Sequence, residues 1–143
     1  MITSRKLEDL HPTVREKALK MEKRCEAELG IDLVFTATYR DDESQDALYA
    51  IGRTVKGAKV TNAKAGYSYH NFRLAFDVVA VRHGKPVWNT SGEDGKLWQD
   101  IGRIGKECGL EWGGDFKTLK DLPHFQDSKG LTLAQLRNGE MVA

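Results

Sequence analysis

The stretch that most limits what this chain can become is "LAFDVVAVR", residues 74–82. Branched and aromatic residues fill it, and a single carboxylate, Asp77, interrupts the apolar run before Arg82. That composition reads as a β-strand. The turn sequence "HGKP" follows, then a short "VWN", so the strand is expected to fold back as an antiparallel hairpin. Other segments must cover this hairpin. "HPTVREKALKMEKRCEAELG" carries Val14, Ala18, Met21, Cys25 and Leu29 at helical spacing, with Pro12 at the start and Gly30 placed to stop it. "IDLVFTATYR" is a second strand, and "DDESQDALYAIGRT" resumes a helix capped by Asp41 or Asp42. Residues 53–70 are polar and glycine-punctuated, a long loop. "GKLWQDIGRIGKECG" is helical, with Leu97, Ile101, Ile104 and Cys108 on one face, although glycines inside it weaken the pattern. Two short strands are expected within "LEWGGDFKTLKDLPHFQ" and a last short helix in "GLTLAQLRNGE". Strands and helices do not alternate strictly, so the expected class is α+β, a small antiparallel sheet flanked by helices.

At 143 residues, with no repeat or low-complexity linker, residues 1–143 are read as one domain, large enough for a core without disulfides. Lys and Arg number 22 against 21 Asp and Glu, which gives no overall field to attract nucleic acid or anionic lipid. Cys25 and Cys108 form no CxxC; each sits in a helical pattern as a small buried thiol, with a disulfide left open. No secretory leader opens the chain and no apolar stretch nears the ~20 residues of a membrane span. The chain is therefore expected to be made in the cytoplasm, and nothing suggests an obligate dimer, so a monomer is expected.

Chemistry has few candidates. Of four histidines, His11 precedes a helix-starting proline and His83 lies in the hairpin turn, both read as solvated. His70 and His124 remain. Seven steps of a straight strand would part His70 from Asp77 by about 23 Å, and a helix by about 10 Å. They can share an ion only if the chain bends around "NFR", residues 71–73. From this pair alone a metal site and a strand aspartate beside a loop histidine are both open. "DLPH" places Asp121 three positions before His124, and Pro123 keeps Leu122 from helical geometry. Asp121 could serve as a general base or merely cap loop amides.

In order along the chain, "SYHNFRLAFD" (68–77), "WGGDF" (112–116) and "DLPHF" (121–125) resemble the zinc peptidases that cut bacterial cell-wall peptides and share the Hedgehog/D-Ala-D-Ala peptidase fold. "TATYRDDESQDALYAIGRT" and "GLTLAQLR" fit the same order, so the likeness spans residues 10–136. It implies that His70, Asp77 and His124 hold Zn2+, that Asp121 is the catalytic base and that Arg40 steadies the oxyanion. Gln45 and Ser68 would support substrate binding, although Ser68 could also simply close its loop, and Arg40 could pair with Asp41 or Asp42 on the surface. Trp112 and Asp115 would shape the cleft wall. Within the group, the short chain is most similar to phage endolysins cutting between L-Ala and D-Glu of the peptidoglycan stem peptide. No cell-wall-binding module is expected, and a holin-type pore would release the protein to the wall. The rivals are a D,D-carboxypeptidase and a zinc-stabilised binding domain without turnover. One position departs from the pattern: Arg73 stands where the family has a small residue, commonly glycine. The bend could take another backbone, or the side chain could turn outward or meet an anionic substrate.

Overall fold

The computed structural model describes residues 1–142. Helix α1 (Pro12–Leu29) starts with proline in its first turn, where a missing N–H costs nothing, and His11 Nδ1 accepts the Thr13 amide at 3.2 Å. Gly30 ends it in the left-handed conformation, φ 65°. Its buried stripe is Val14, Ala18, Met21 and Cys25, the expected face. Strand β1 (Asp32–Ala37) follows, then helix α2 (Asp42–Ala50), whose Asp41 cap accepts the Ser44 amide at 2.9 Å. Strand β2 (Ala75–Arg82) and β3 (Lys85–Val87) make the hairpin. Helix α3 (Gly92–Glu107), β4 (Glu111–Trp112), β5 (His124–Gln126) and helix α4 (Leu133–Arg137) complete the chain.

The hairpin turn is tighter than its sequence suggests. His83 and Gly84 both take positive φ, 54° and 75°, the signature of a two-residue turn whose twist matches the strands. Pairing therefore restarts at Lys85, opposite Arg82, and Trp88 lies beyond the strand, exposed.

All pairings are antiparallel, in the order β1-β2-β5-β4, with β3 also on β2. β2 is thus central: β1 occupies one edge, while β5 and β3 share the other. Period-two alternation divides its side chains. Leu74, Phe76, Val78 and Ala80 enter the core beneath α1 and α3, joined by Phe125 of β5. Ala75, Asp77 and Val79 point to the opposite face. Asp77 therefore leaves the central strand on the face turned away from the α1 and α3 core. Both cysteines are buried and free; burial pushes the Cys25 thiol up to about 12.

The glycines inside α3 mark where the helix lies flat on aromatic rings. A Cβ on Gly105 would overlap the Phe125 ring, and one on Gly102 would overlap Trp112. Phe125 stacks on Phe76 at 5.8 Å and neighbours His124, so it has little freedom to withdraw. Gly105→Ala should cost about 1–3 kcal/mol of stability through overpacking. Urea unfolding would show this as a lower midpoint at unchanged slope.

Residues 2–6, for which the sequence suggested nothing, run beside residues 38–41. Ser4 and Thr38 exchange backbone bonds with this segment (Ser4 N to Tyr39 O, 2.8 Å; Thr38 N to Ser4 O, 2.7 Å), and Asp41 N donates to Ile2 O at 2.9 Å. The strap fixes the segment that carries Arg40.

Candidate metal centre and cleft

Three elements bring the candidate ligands together. Asp77 and His124 sit directly opposite each other on β2 and β5, so their side chains leave the same face of the sheet as neighbours. His70 arrives from a 3-10 turn, Tyr69–Phe72, capped by Ser68, whose Oγ accepts the His70 amide at 3.2 Å. Arg73 then reverses the chain at φ 65° and delivers it into β2. This is the bend that a shared ion requires. Arg73 adopts the left-handed backbone that a glycine takes freely. Its side chain leaves the cleft, donating from Nη1 to Asp9 O at 2.9 Å and lying over the Tyr39 ring at 4.0 Å. Those contacts hold a conformation that is otherwise uncommon for a residue with a Cβ.

The donor atoms of His70, Asp77 and His124 lie within 4.8 Å of one another. Asp77 Oδ1 is 3.2 Å from His70 Nε2 and 3.2 Å from His124 Nδ1. A tetrahedral zinc with ligands at about 2.0–2.1 Å separates its donor atoms by roughly 3.3 Å, the spacing that Asp77 Oδ1 already keeps from both imidazoles.

The outer partners decide which ring nitrogens carry hydrogen. His70 Nδ1 lies 2.8 Å from Thr38 O, a carbonyl that can only accept, so Nδ1 holds the proton and Nε2 of a neutral ring presents a lone pair. Gln126 Nε2 donates to Glu111 Oε1 at 3.3 Å, which turns Gln126 Oε1 towards His124 Nε2 at 2.7 Å. His124 Nε2 is then the donor and Nδ1 the lone pair. Two imidazole lone pairs thus face one carboxylate oxygen, an arrangement that only a cation or protons between them can hold.

The electrostatics agree. Burial pushes the Asp77 carboxyl up, but the two imidazoles outweigh it and hold the group well below the usual carboxylate range. Burial lowers His124, and Asp77 more than reverses the effect. Asp121 keeps half of its side-chain surface open, with Oδ2 4.0 Å from His124 Nδ1. Desolvation first, and the nearby Asp77 charge second, raise its carboxyl above the ordinary value. A carboxylate so placed binds a proton more readily than a surface one. Its backbone is pinned where a side chain at Gly113 would block it. A Cβ there would strike Asp121 O and approach His124 Cβ to 3.0 Å, and Asp121 N donates to Gly113 O at 3.0 Å.

Arg40 is largely buried in the cleft wall. Its Nη1 donates to Gln45 Oε1 at 3.0 Å and Nη2 lies 3.7 Å from Asp77 Oδ2, while Nε is buried without a partner among the described residues. It turns towards the ligands rather than to Asp41 or Asp42. Desolvation lowers its pKa against the opposing carboxylates of Asp77 and Asp121, yet a guanidinium keeps its charge. Gln45 is buried beneath it, with Nε2 donating to Ala63 O at 2.6 Å. Gln45 positions Arg40 and does not line the cleft. A cavity of about 630 Å³ opens over the site between residues 60–63 on one side and Phe116, Thr118 and Leu119 on the other. Ser68 lines it as well as capping its turn.

Trp112 and Asp115 do not form the cleft wall. Trp112 is buried in the core and its indole donates to Leu122 O at 2.8 Å, holding the "DLPH" segment from behind. Asp115 is exposed and pairs with Lys106 at 3.0 Å.

Sequence reasoning also missed Thr38, Glu111 and Gln126. Alternation along β5 was an available signal, since it puts residue 126 on the face of residue 124. Gln126→Leu would free the His124 tautomer and should weaken metal binding about 10–100-fold. Competition with a calibrated chelator measures this directly.

Comparisons with known proteins follow the same lines. A family profile described as D-alanyl-D-alanine carboxypeptidase matches residues 61–127. The Bacillus subtilis peptidoglycan L-alanyl-D-glutamate endopeptidase CwlK is 42% identical over 123 residues, covering 82% of this chain and 73% of the relative. The Serratia marcescens L-Ala D-Glu endopeptidase ChiX superposes with a TM-score of 0.64 at 26% identity, over 87% of each chain. The LdcB LD-carboxypeptidase shares the fold at a TM-score of 0.60 and 22% identity, over 92% of this chain and 76% of that one.

Proposed function

Because the chain belongs to this family of peptidoglycan peptidases, we propose that it is a zinc-dependent endopeptidase hydrolysing the L-Ala–D-Glu bond of stem peptides. The observation that carries the reading is the convergence of two imidazole lone pairs and one carboxylate oxygen on a single point of an open cleft. Two nitrogens and one oxygen leave a fourth tetrahedral position free, as a catalytic zinc site needs. His70, Asp77 and His124 would hold the ion. When bound, it supplies Lewis-acid chemistry, polarising a carbonyl and acidifying water.

The chain's own groups do the rest. Asp121, its carboxyl raised above the ordinary value by burial and by Asp77 and open to the cleft, takes the proton of the attacking water on its carboxylate and returns it to the D-Glu nitrogen as the bond breaks. Arg40, held by Gln45, directs its guanidinium to the carbonyl oxygen as negative charge develops there. Ser68 offers its hydroxyl to the peptide from the cleft lining. Retention of Asp121 beside the ligands favours turnover over a binding role.

The L-Ala–D-Glu bond is taken from the named activities of the two endopeptidases that the chain resembles. Within this reading the protein is a monomeric lytic enzyme of the wall, of the endolysin kind, reaching it through a holin-type pore. Digestion of purified peptidoglycan, with and without zinc, tests the assignment. New amino termini on D-Glu support it. Released D-Ala in their place would make the protein a D,D-carboxypeptidase, and no cleavage in the presence of zinc would make it a binding domain.

A further inference from the structure

Charge is unevenly placed in a chain whose total nearly cancels. Residues 47–76 contain no Asp or Glu, yet hold Arg53, Lys56, Lys59, Lys64 and Arg73. A second acid-free piece, residues 116–120, carries Lys117 and Lys120. The two pieces supply the opposing walls of the cleft, through residues 60–63 and through Phe116, Thr118 and Leu119. Lys56, Lys59, Lys64, Lys117 and Lys120 are all exposed. Lys17, Lys96 and Lys106 pair with Asp127, Glu93 and Asp115, whereas among the described residues these five make no ion pair.

The arginines nearby are already engaged. Arg53 Nη1 donates to Tyr49 O at 2.6 Å and Thr61 O at 3.1 Å and lies over the Tyr49 ring, stapling the loop. Arg137 Nη1 donates to Gly66 O at 3.0 Å and lies over the Tyr67 ring. Unpaired lysines therefore flank a cleft whose floor is acidic only at Asp77 and Asp121. Mutual repulsion gives such a set no structural benefit.

We propose that these loops form a cationic rim that docks the enzyme on the free carboxylates of peptidoglycan stem peptides. The inference rests on the peptidoglycan reading above and adds how the cleft is presented to its polymer. D-Glutamate joined through its amine and one carboxyl keeps the other carboxylate, so every stem repeats a negative charge next to the bond to be cut. Lysines on flexible stems suit scattered single charges; the forked guanidiniums that grip phosphate bidentately are here committed to the protein itself. A carboxylate polymer is the partner that this chemistry fits, and it continues from the cleft where the stem lies.

Co-sedimentation with purified sacculi stripped of teichoic acid tests the rim, using Asp121→Asn protein so that the wall is not consumed. Each lysine near an anionic surface contributes on the order of fivefold to binding at low salt. The combined Lys56→Gln, Lys59→Gln, Lys117→Gln and Lys120→Gln variant should therefore raise the apparent Kd by roughly several hundredfold, with an unchanged melting temperature. Raising salt towards about 0.15 M should narrow the difference as screening sets in. Sacculi whose carboxylates have been amidated should bind the parent as weakly as the variant. Equal binding by parent and variant overturns the proposal. So does binding that survives amidation, or that appears only when teichoic acid is left on the wall. Failure of the peptidase reading is a separate result, no new D-Glu amino termini, and does not affect this assay.

Discussion

Asp77→Ala should abolish metal binding and cleavage together. Asp77 Oδ1 meets both imidazoles at 3.2 Å, and Oδ2 lies 3.7 Å from Arg40. Removing it takes away one of three donors and the only negative charge among them. Three protein ligands are the usual minimum for a catalytic zinc. With two neutral imidazoles left, metal content after dialysis should fall to background and peptidoglycan release with it. The variant also leaves the buried guanidinium of Arg40 short of its nearest carboxylate. Removing one member of such a pair costs about 3–5 kcal/mol when the other stays buried. Elemental analysis and a melting curve read both effects. Retained stoichiometric zinc with full activity would refute the ligand assignment.

Asp121→Asn should separate chemistry from metal. The amide nearly matches the carboxylate in shape but cannot take a proton from water. Asp121 lies outside the close set of donors, 4.0 Å from His124 Nδ1, so the ion should remain. General-base catalysis contributes about 10²–10⁴-fold, which sets the expected loss in kcat. Unaltered zinc content and a nearly unaltered KM should accompany it. Activity within tenfold of the parent would remove Asp121 from the base role.

Most of the architecture was legible in the order of residues. The stripe Val14, Ala18, Met21 and Cys25, the apolar run of β2 and the glycine stop at Gly30 each express a local rule, and each formed as expected. Pairing was less accessible. Nothing local in "DLPHF" says that His124 will lie opposite Asp77, because register comes from the sheet as a whole. The likeness to a known family supplied that convergence before the strands did. The strap at residues 2–6 was invisible for the same reason: its bonds go to residues 38–41, and its own sequence has no period. Glycines 102 and 105 looked like helix faults and proved to be seats for Trp112 and Phe125, a contact decided by partners far along the chain. Arg73 shows a different limit. Its left-handed backbone is held by Asp9 and Tyr39, two residues that no spacing rule links to position 73.

The strap has a practical bearing. Ile2 N donates to Asp41 Oδ2 at 2.9 Å, and Asp41 also caps α2, only one residue from Arg40. Purification handles or immobilisation linkers joined ahead of Met1 would pull on that junction, and a protein so modified could lose rate with its fold intact. A handle joined after Ala143 lies at the other end of the sequence and spares the guanidinium. Workers who compare preparations of this enzyme should expect the position of the handle to matter as much as its chemistry.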